Sequence, residues 1–94
     1  MSKIKIEYDQ VKNAINLAKH GVSFERVSEL DFDSAIVTQD IRNDYGEIRF
    51  IGYAMLNLRL YCLVWTPRNG YMRPISFRKA NKREIKDYEI QKSS

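Results

Sequence analysis

The sequence is poor in cysteine, histidine, glycine and proline, and it has no long apolar run. Its 94 residues include one cysteine, one histidine, four glycines and two prolines. The lone Cys62 excludes an internal disulfide framework and a cysteine-based zinc site. The scarcity of glycine and proline excludes a fibrous or low-complexity chain. No apolar run is long enough to cross a membrane, and the first residues lack the apolar stretch of a secretory signal. We therefore expect one cytoplasmic domain over residues 1–94, with no cofactor.

The charge that is present is distributed unevenly. Residues 1–40 carry 5 Lys/Arg against 7 Asp/Glu, whereas residues 41–94 carry 11 against 5. The densest stretch, residues 68–86, contains seven cations and a single acid. A basic half on a small domain favours a polyanionic partner, either nucleic acid or an acidic protein. A well-solvated helix face would have the same composition, so charge alone leaves both interpretations open.

The first third of the chain predicts a short strand over residues 3–8, a helix over 10–20 and a second, short helix over 24–30. Asp9 is a suitable N-cap for the first helix, and Gly21 can end it in the left-handed conformation. The apolar positions of that helix follow the spacing of an amphipathic helix with one apolar face: Val11, Ala14, Ile15 and Ala18.

The remainder predicts an antiparallel meander, with a β-prone run at 35–38 and strands at 47–55, 58–66 and 71–78. Asn57 lies near a tight turn. Asn69 and Gly70 supply the positive φ angles of a primed hairpin turn.

Two further signals complete the pattern. Pro74 predicts an edge strand or a bulge. Asn81 and Glu84 form a capping box at the start of a final helix, in which Ile85 and Tyr88 turn inward. The fold class is α+β: N-terminal helices packed on an antiparallel meander, followed by a C-terminal helix.

Three motifs resemble those of BrnT-type toxins, and the resemblance covers roughly residues 4–89. The opening motif is Asp9-x-x-Lys12-x-x-x-Asn16-x-x-Lys19-His20-Gly21-Val22-Ser23-Phe24. The other two are Glu47-x-Arg49-Phe50-Ile51 and Arg73-x-Ile75-Ser76-x-Arg78-Lys79-Ala80. The helix that follows, with Arg83, Glu84 and Tyr88, continues the similarity.

This resemblance implies a compact RelE-like fold and a type II toxin: a ribonuclease that cuts RNA and arrests translation. It also implies a cognate BrnA-like antitoxin with a DNA-binding region. The toxin would then reach operator DNA only through the antitoxin.

Metal-free RNA cleavage requires a base, an acid and a cation that stabilises charge on the phosphate. Arg49, on a predicted strand, is a candidate clamp for the scissile phosphate; its alternative role is a salt bridge to Glu47. Arg78 is a candidate second clamp, and its alternatives are an exposed strand end or an antitoxin contact. Lys79 is an RNA-binding candidate that points to the opposite face from Arg78.

His20 is the natural candidate for proton transfer, because the unperturbed pKa of histidine lies near neutrality. Its position at the end of a helix also suits a structural role beside the terminal carbonyl groups. Lys12 and Lys19 share one face of that helix with Asn16. This polar stripe could contact RNA or be solvated.

Aromatic side chains on the predicted strands offer stacking surfaces for RNA bases. Tyr53, Tyr61 and Trp65 are interleaved with Arg59, and we assign Tyr61 and Arg59 to RNA binding. Burial in the core is the structural alternative for these aromatics. Cys62 lies among apolar residues and is expected to be buried.

Three functions fit these features. The first, which we adopt as the hypothesis, is a metal-independent endoribonuclease toxin. The second is a non-catalytic basic module that binds RNA or an acidic protein. The third is a degenerate toxin that acts mainly with its antitoxin in a repressor complex.

Overall fold

Four strands and three helical segments make up the computed structural model, which describes residues 5–93. We number the α-helices and strands in chain order. The elements are α1 (Gln10–His20), a 3-10 helix (Phe24–Glu29), β1 (Asp31–Gln39), β2 (Phe50–Leu56), β3 (Arg59–Arg68), β4 (Tyr71–Lys79) and α2 (Lys82–Ser93). The predicted α+β class is confirmed.

The strands form one sheet in the order β1-β2-β3-β4, and every neighbouring pair is antiparallel. The predicted turns are confirmed, since Asn57 has φ 55°, Asn69 φ 53° and Gly70 φ 80°. Pro74 lies on the edge strand β4, next to a register shift in its pairing with β3. An edge strand and a bulge both tolerate the missing N–H of proline.

Some element boundaries differ from the prediction. β1 begins at Asp31, earlier than expected, and β2 begins only at Phe50, because residues 40–49 form a loop with its own polar contacts. The predicted strand over residues 3–8 falls partly outside the described residues. Within them it is reduced to a single parallel bridge between Ile6 and Met72.

The two faces of the sheet have different coverings. One face packs against the 3-10 helix, and its centre is the fully buried group of Phe24, Val27, Leu63 and Phe77. The helix α1 lies along the edge strand β4 and contributes no side chain to this core. The opposite face carries Tyr53, Cys62 and Arg78 in one cross-strand row. There α2 lies over one end of the sheet, where the Tyr88 hydroxyl donates to the Ser34 carbonyl at 2.9 Å.

The expected apolar face of α1 does not pack on the core, and this part of the prediction is wrong. Val11 is 65% exposed and Ile15 60% exposed, whereas Asn16 is the buried residue of the helix at 6%. The predicted caps do hold: Asp9 accepts from the backbone of Lys12, and Gly21 adopts a left-handed conformation.

The inverted orientation of α1 has a physical cause in the edge of the sheet. The Asn16 side chain donates to the Phe77 carbonyl at 2.9 Å and accepts from the Phe77 N–H at 3.1 Å. Its amide also donates to the Val22 carbonyl at 3.0 Å. An edge strand leaves such backbone groups without a partner strand, and buried backbone groups must be paired. The side-chain amide of Asn16 therefore takes the place of a fifth strand.

We predict that Asn16→Ala destabilises the fold by at least about 2 kcal/mol, because it leaves the buried N–H and C=O of Phe77 without partners. Urea denaturation measures the free energy of unfolding. Gln10→Ala, at an exposed position of the same helix, is the control and should change it little. Equal denaturation midpoints for Asn16→Ala and the wild type would contradict the role given to this amide.

Candidate functional site

A cleft on the sheet face opposite the apolar core gathers four cations from distant parts of the chain. It lies where the start of α1 meets the β3–β4 hairpin and the end of the loop over residues 40–49. We call it the basic cleft and define it by its cations Lys12, Arg49, Arg68 and Arg73. The carboxylates of Asp9 and Glu47 also line it. A concave site of this charge suits an anionic ligand.

Arg49 lies just before β2 and is held from two sides. Its Nε donates to Glu47 Oε2 at 3.1 Å, and its guanidinium lies 4.0 Å from the centroid of the Tyr45 ring. The side chain is 27% exposed, so it still reaches the open cleft. The salt bridge that the sequence offered as an alternative is therefore present, but within a cleft that could hold a phosphate.

A buried carboxylate organises the loop that carries Arg49. Asp40, whose side chain is 1% exposed, accepts from Arg42 Nε and Nη2, each at 2.8 Å. It also accepts from the Tyr45 hydroxyl at 3.0 Å. The hydrogen bonds from Arg42 hold the pKa of Asp40 well below its usual range. The backbone N–H of Asp40 donates to the Arg49 carbonyl at 2.8 Å, which ties both ends of the loop together.

Two further contacts fix the wall of the basic cleft. Thr66 is buried, and its hydroxyl donates to the Ile48 carbonyl at 2.7 Å. Arg73 pairs with Glu7 at 3.2 Å and is 22% exposed. The sequence motifs contain Lys12, Arg49 and Arg73 separately; the structure brings them together and adds Arg68.

Arg78 has a different environment from the one predicted. Its Nη1 and Nη2 donate to the two carboxylate oxygens of Glu84 at 2.8 and 2.9 Å. The Tyr53 hydroxyl and the Asn81 N–H donate to the same carboxylate at 3.0 and 2.9 Å. The predicted capping box is confirmed, and it is part of this cluster. Arg78 thus anchors α2 to the sheet through an ion pair that none of its three predicted roles included.

The ion pair changes the acid–base behaviour of its members. Hydrogen bonds from Arg78 lower the pKa of Glu84 from its usual 4.5 to about 2, against the opposing effect of burial. Burial raises the pKa of Tyr53 far above its usual value. Glu84 is therefore ionised and Tyr53 protonated at neutral pH, so neither is poised to exchange a proton there.

His20 lies at the end of α1 and is half-buried. Partial burial, followed by the charges of Lys19 and Arg78, lowers the pKa of His20 below its usual 6.5. The imidazole is therefore mainly neutral at about pH 7 and able to accept a proton. It does not line the basic cleft.

The two predicted arginine clamps, Arg49 and Arg78, lie at different ends of the sheet. Arg73, in the basic cleft, pairs across the sheet with Thr66, whereas Arg78 pairs with Cys62. Four residues of β3 separate these positions, which is roughly 13 Å along the strand. Arg49 lies at the level of Thr66, so the structure does not bring Arg49 and Arg78 onto one anion.

One RNA-binding prediction needs correction. Tyr61 is only 6% exposed and packs against Phe77 with ring centroids 5.2 Å apart. Its ring belongs to the core because odd-numbered positions of β3 face the helices, so it presents no surface to a base. Trp65 packs half-buried against Phe50. The expected burial of Cys62 is confirmed.

The remaining RNA-binding candidates are exposed. Lys19 lies on α1, and Lys79 pairs with Tyr61, on the face opposite to Arg78 as expected. Arg59 donates to the Ala80 carbonyl at 3.2 Å. The third member of the predicted polar stripe, Asn16, is neither solvated nor available to RNA, since it binds the edge of β4.

Comparison with known families identifies the class of protein. Residues 8–84 match the model of a family described as the ribonuclease toxin BrnT of type II toxin–antitoxin systems. A search of curated proteins finds no significant match. The matched region covers most of the chain, which therefore belongs to the BrnT family, and the resemblance noted from the motifs is confirmed.

Metal ligation and membrane insertion find no support in the described residues. Among residues 5–93, no three His, Cys, Asp or Glu side chains come together as ligands for a metal ion. No helix in the same range is long and apolar enough to cross a membrane.

The Arg78–Glu84 pair predicts a specific pH dependence of stability. Because the folded-state pKa of Glu84 is depressed from 4.5 to about 2, its contribution is present above about pH 5. It is lost as the pH falls towards about 2. We expect Glu84→Gln to lower the free energy of unfolding by up to about 3 kcal/mol at neutral pH, and by much less near pH 2.

Urea denaturation of both proteins across this pH range tests the expectation. Glu29→Gln, which removes the carboxylate of the exposed Arg26–Glu29 pair, is the matched control. If the difference in the free energy of unfolding between Glu84→Gln and the wild type did not shrink on acidification, it would not come from the ionised Glu84 carboxylate.

Proposed function

We propose that this chain is a metal-independent endoribonuclease that binds single-stranded RNA in the basic cleft. The observation that supports it best is the placing of Arg49 in the basic cleft, with the Glu47 carboxylate 3.1 Å from its guanidinium. A guanidinium matches the geometry of a phosphate, and a neighbouring carboxylate can accept a proton. Membership of a ribonuclease toxin family agrees with this chemistry.

In the proposed reaction, Glu47 accepts the proton of the 2′-hydroxyl, and the 2′-oxygen attacks the adjacent phosphorus. The bond from phosphorus to the 5′-oxygen breaks, and that oxygen takes a proton from the Lys12 ammonium. The products are a 2′,3′-cyclic phosphate and a 5′-hydroxyl end. Arg49 stabilises the negative charge that accumulates on the phosphate oxygens.

The other cations have supporting roles in this scheme. Arg68 and Arg73 bind neighbouring phosphates and keep the RNA in register with Arg49. Arg78 is a positioning residue that fixes α2 through Glu84. His20 lies at the Arg78 end of the sheet and takes no part in the proton transfers at Arg49.

The family suggests the wider setting of the reaction. We propose that RNA cleavage arrests translation in the cytoplasm, and that a BrnA-like antitoxin neutralises the toxin and carries it to operator DNA. We also propose that the meander with its flanking helices is a RelE-like arrangement.

We predict that Arg49→Ala and Glu47→Gln each reduce the rate of RNA cleavage by about 10²–10³-fold, the effect of losing one stabilising or proton-accepting group. The measurement is cleavage of a labelled single-stranded RNA by purified protein, with circular dichroism to verify folding. Arg26→Ala is the matched control, because Arg26 also forms a 3.1 Å pair with a glutamate but lies outside the basic cleft. It should leave the rate unchanged.

Two results would redirect the assignment. If Arg49→Ala cleaved RNA at the wild-type rate and His20→Gln did not cleave it, the active site would lie at the Arg78 end of the sheet. Binding of RNA that weakens steeply with salt, with no cleavage by any variant, would identify the non-catalytic module instead.

A further inference from the structure

The outward face of α1 is apolar and lacks a partner among the described residues. Val11, Ala14, Ile15 and Ala18 are all exposed and form what we call the apolar stripe. At 100° per residue, the centre of this stripe lies about 180° from the inward side formed by Asn13, Asn16 and His20. A helix that turns its polar side inward and its apolar side outward exposes surface that water disfavours.

Hydrogen bonds hold the inward side of α1 in place, and the apolar stripe takes no part in them. Asn16 binds the edge of β4 as described above. Asn13 accepts from the Phe24 N–H at 2.7 Å and donates to the Ser23 hydroxyl at 3.2 Å. The orientation of α1 is thus fixed by specific hydrogen bonds at both positions, and the apolar stripe remains on the surface.

Charge marks one border of the apolar stripe. Residues 10–20 contain no acid, and Lys12 and Lys19 lie three and four positions from Ile15, on the same side of the helix. Lys12 also lines the basic cleft. The apolar stripe, its basic border and the cleft therefore form one continuous surface.

We propose that this surface is the docking site of the antitoxin, and that it binds an amphipathic helical segment with acidic residues along one side. Apolar side chains of that segment cover Val11 and Ile15, and its carboxylates pair with Lys12 and Lys19. Docking there covers the Lys12 side of the basic cleft and prevents RNA from entering it. This last step rests on the proposed function, whereas the docking itself rests only on the surface and on the toxin–antitoxin family.

Two other occupants fit the surface less well. A second copy of this chain would bring the lysines of one α1 against those of the other, and like charges repel across an interface. A lipid surface would attract the lysines, but interfacial helices rely on large apolar anchors such as Trp, Phe and Leu. Two of the four residues in the stripe are alanines.

The test uses this protein and a cognate BrnA-like antitoxin, both purified, with affinity measured by calorimetry. We expect Val11→Asp and Ile15→Asp each to weaken binding at least 100-fold, and Lys19→Glu to weaken it at least 10-fold at low salt. The control is Leu58→Asp, since Leu58 is 97% exposed in the β2–β3 turn and should bind like the wild type. Circular dichroism and urea denaturation establish that each variant is folded.

The outcomes separate docking from catalysis. Expressed with the antitoxin, Ile15→Asp should still arrest growth, whereas the wild type should be neutralised. If the wild type does not cleave RNA but Ile15→Asp no longer binds the antitoxin, the docking site is supported and the ribonuclease assignment fails. Wild-type affinity in folded Val11→Asp and Ile15→Asp would overturn the proposal. The proposal would also be overturned if the wild type dimerised or bound phosphatidylglycerol vesicles, and Ile15→Asp abolished that association without weakening the binding of the antitoxin.

Discussion

The hydrogen bonds between the Asn16 amide and the edge of β4 determine how the rest of the molecule is arranged. They pair the backbone of Phe77, which no fifth strand covers. At the other end of β4, the segment before α1 donates to and accepts from the backbone of Met72. The exposed edge that would favour aggregation is thus closed by a side chain and a short extended segment. With α1 fixed in this way, Lys12 reaches the basic cleft and the apolar stripe faces outward.

Local signals in the sequence were sufficient for the turns and for the limits of the α-helices. Asn69 and Gly70 specify a primed turn, Asp9 and Gly21 delimit α1, and Asn81 with Glu84 begins α2, because each motif acts through contacts within a few residues. Alternation located β3 and β4 closely, whereas the limits of β1 and β2 depend on the loop over residues 40–49 and differ from the prediction.

Long-range polar contacts account for what was not predicted. Periodicity identifies an apolar side of α1 but cannot show that Asn16 finds a partner 61 residues away, and this contact reverses the orientation of the helix. The sequence offers Arg78 as a site residue and Glu84 as part of a helix cap, yet the fold joins them in one ion pair. The order in the loop around Asp40 likewise depends on a carboxylate that becomes buried only when the loop closes. The basic cleft itself draws on four separate segments of chain, so only its individual cations could be named.

The Arg49–Glu47 and Arg78–Glu84 pairs differ in how easily RNA could compete for the guanidinium. Arg49 makes one 3.1 Å hydrogen bond to a glutamate that is 43% exposed, and such solvated pairs contribute about 0–1 kcal/mol. Arg78 makes two shorter bonds to a carboxylate that is 17% exposed and held by two further donors. Removing one partner leaves the other charge partly buried and unpaired, which costs more than breaking a solvated pair. A phosphate can therefore take Arg49 from Glu47 at small cost, leaving the carboxylate beside it to accept a proton, while Arg78 stays with Glu84.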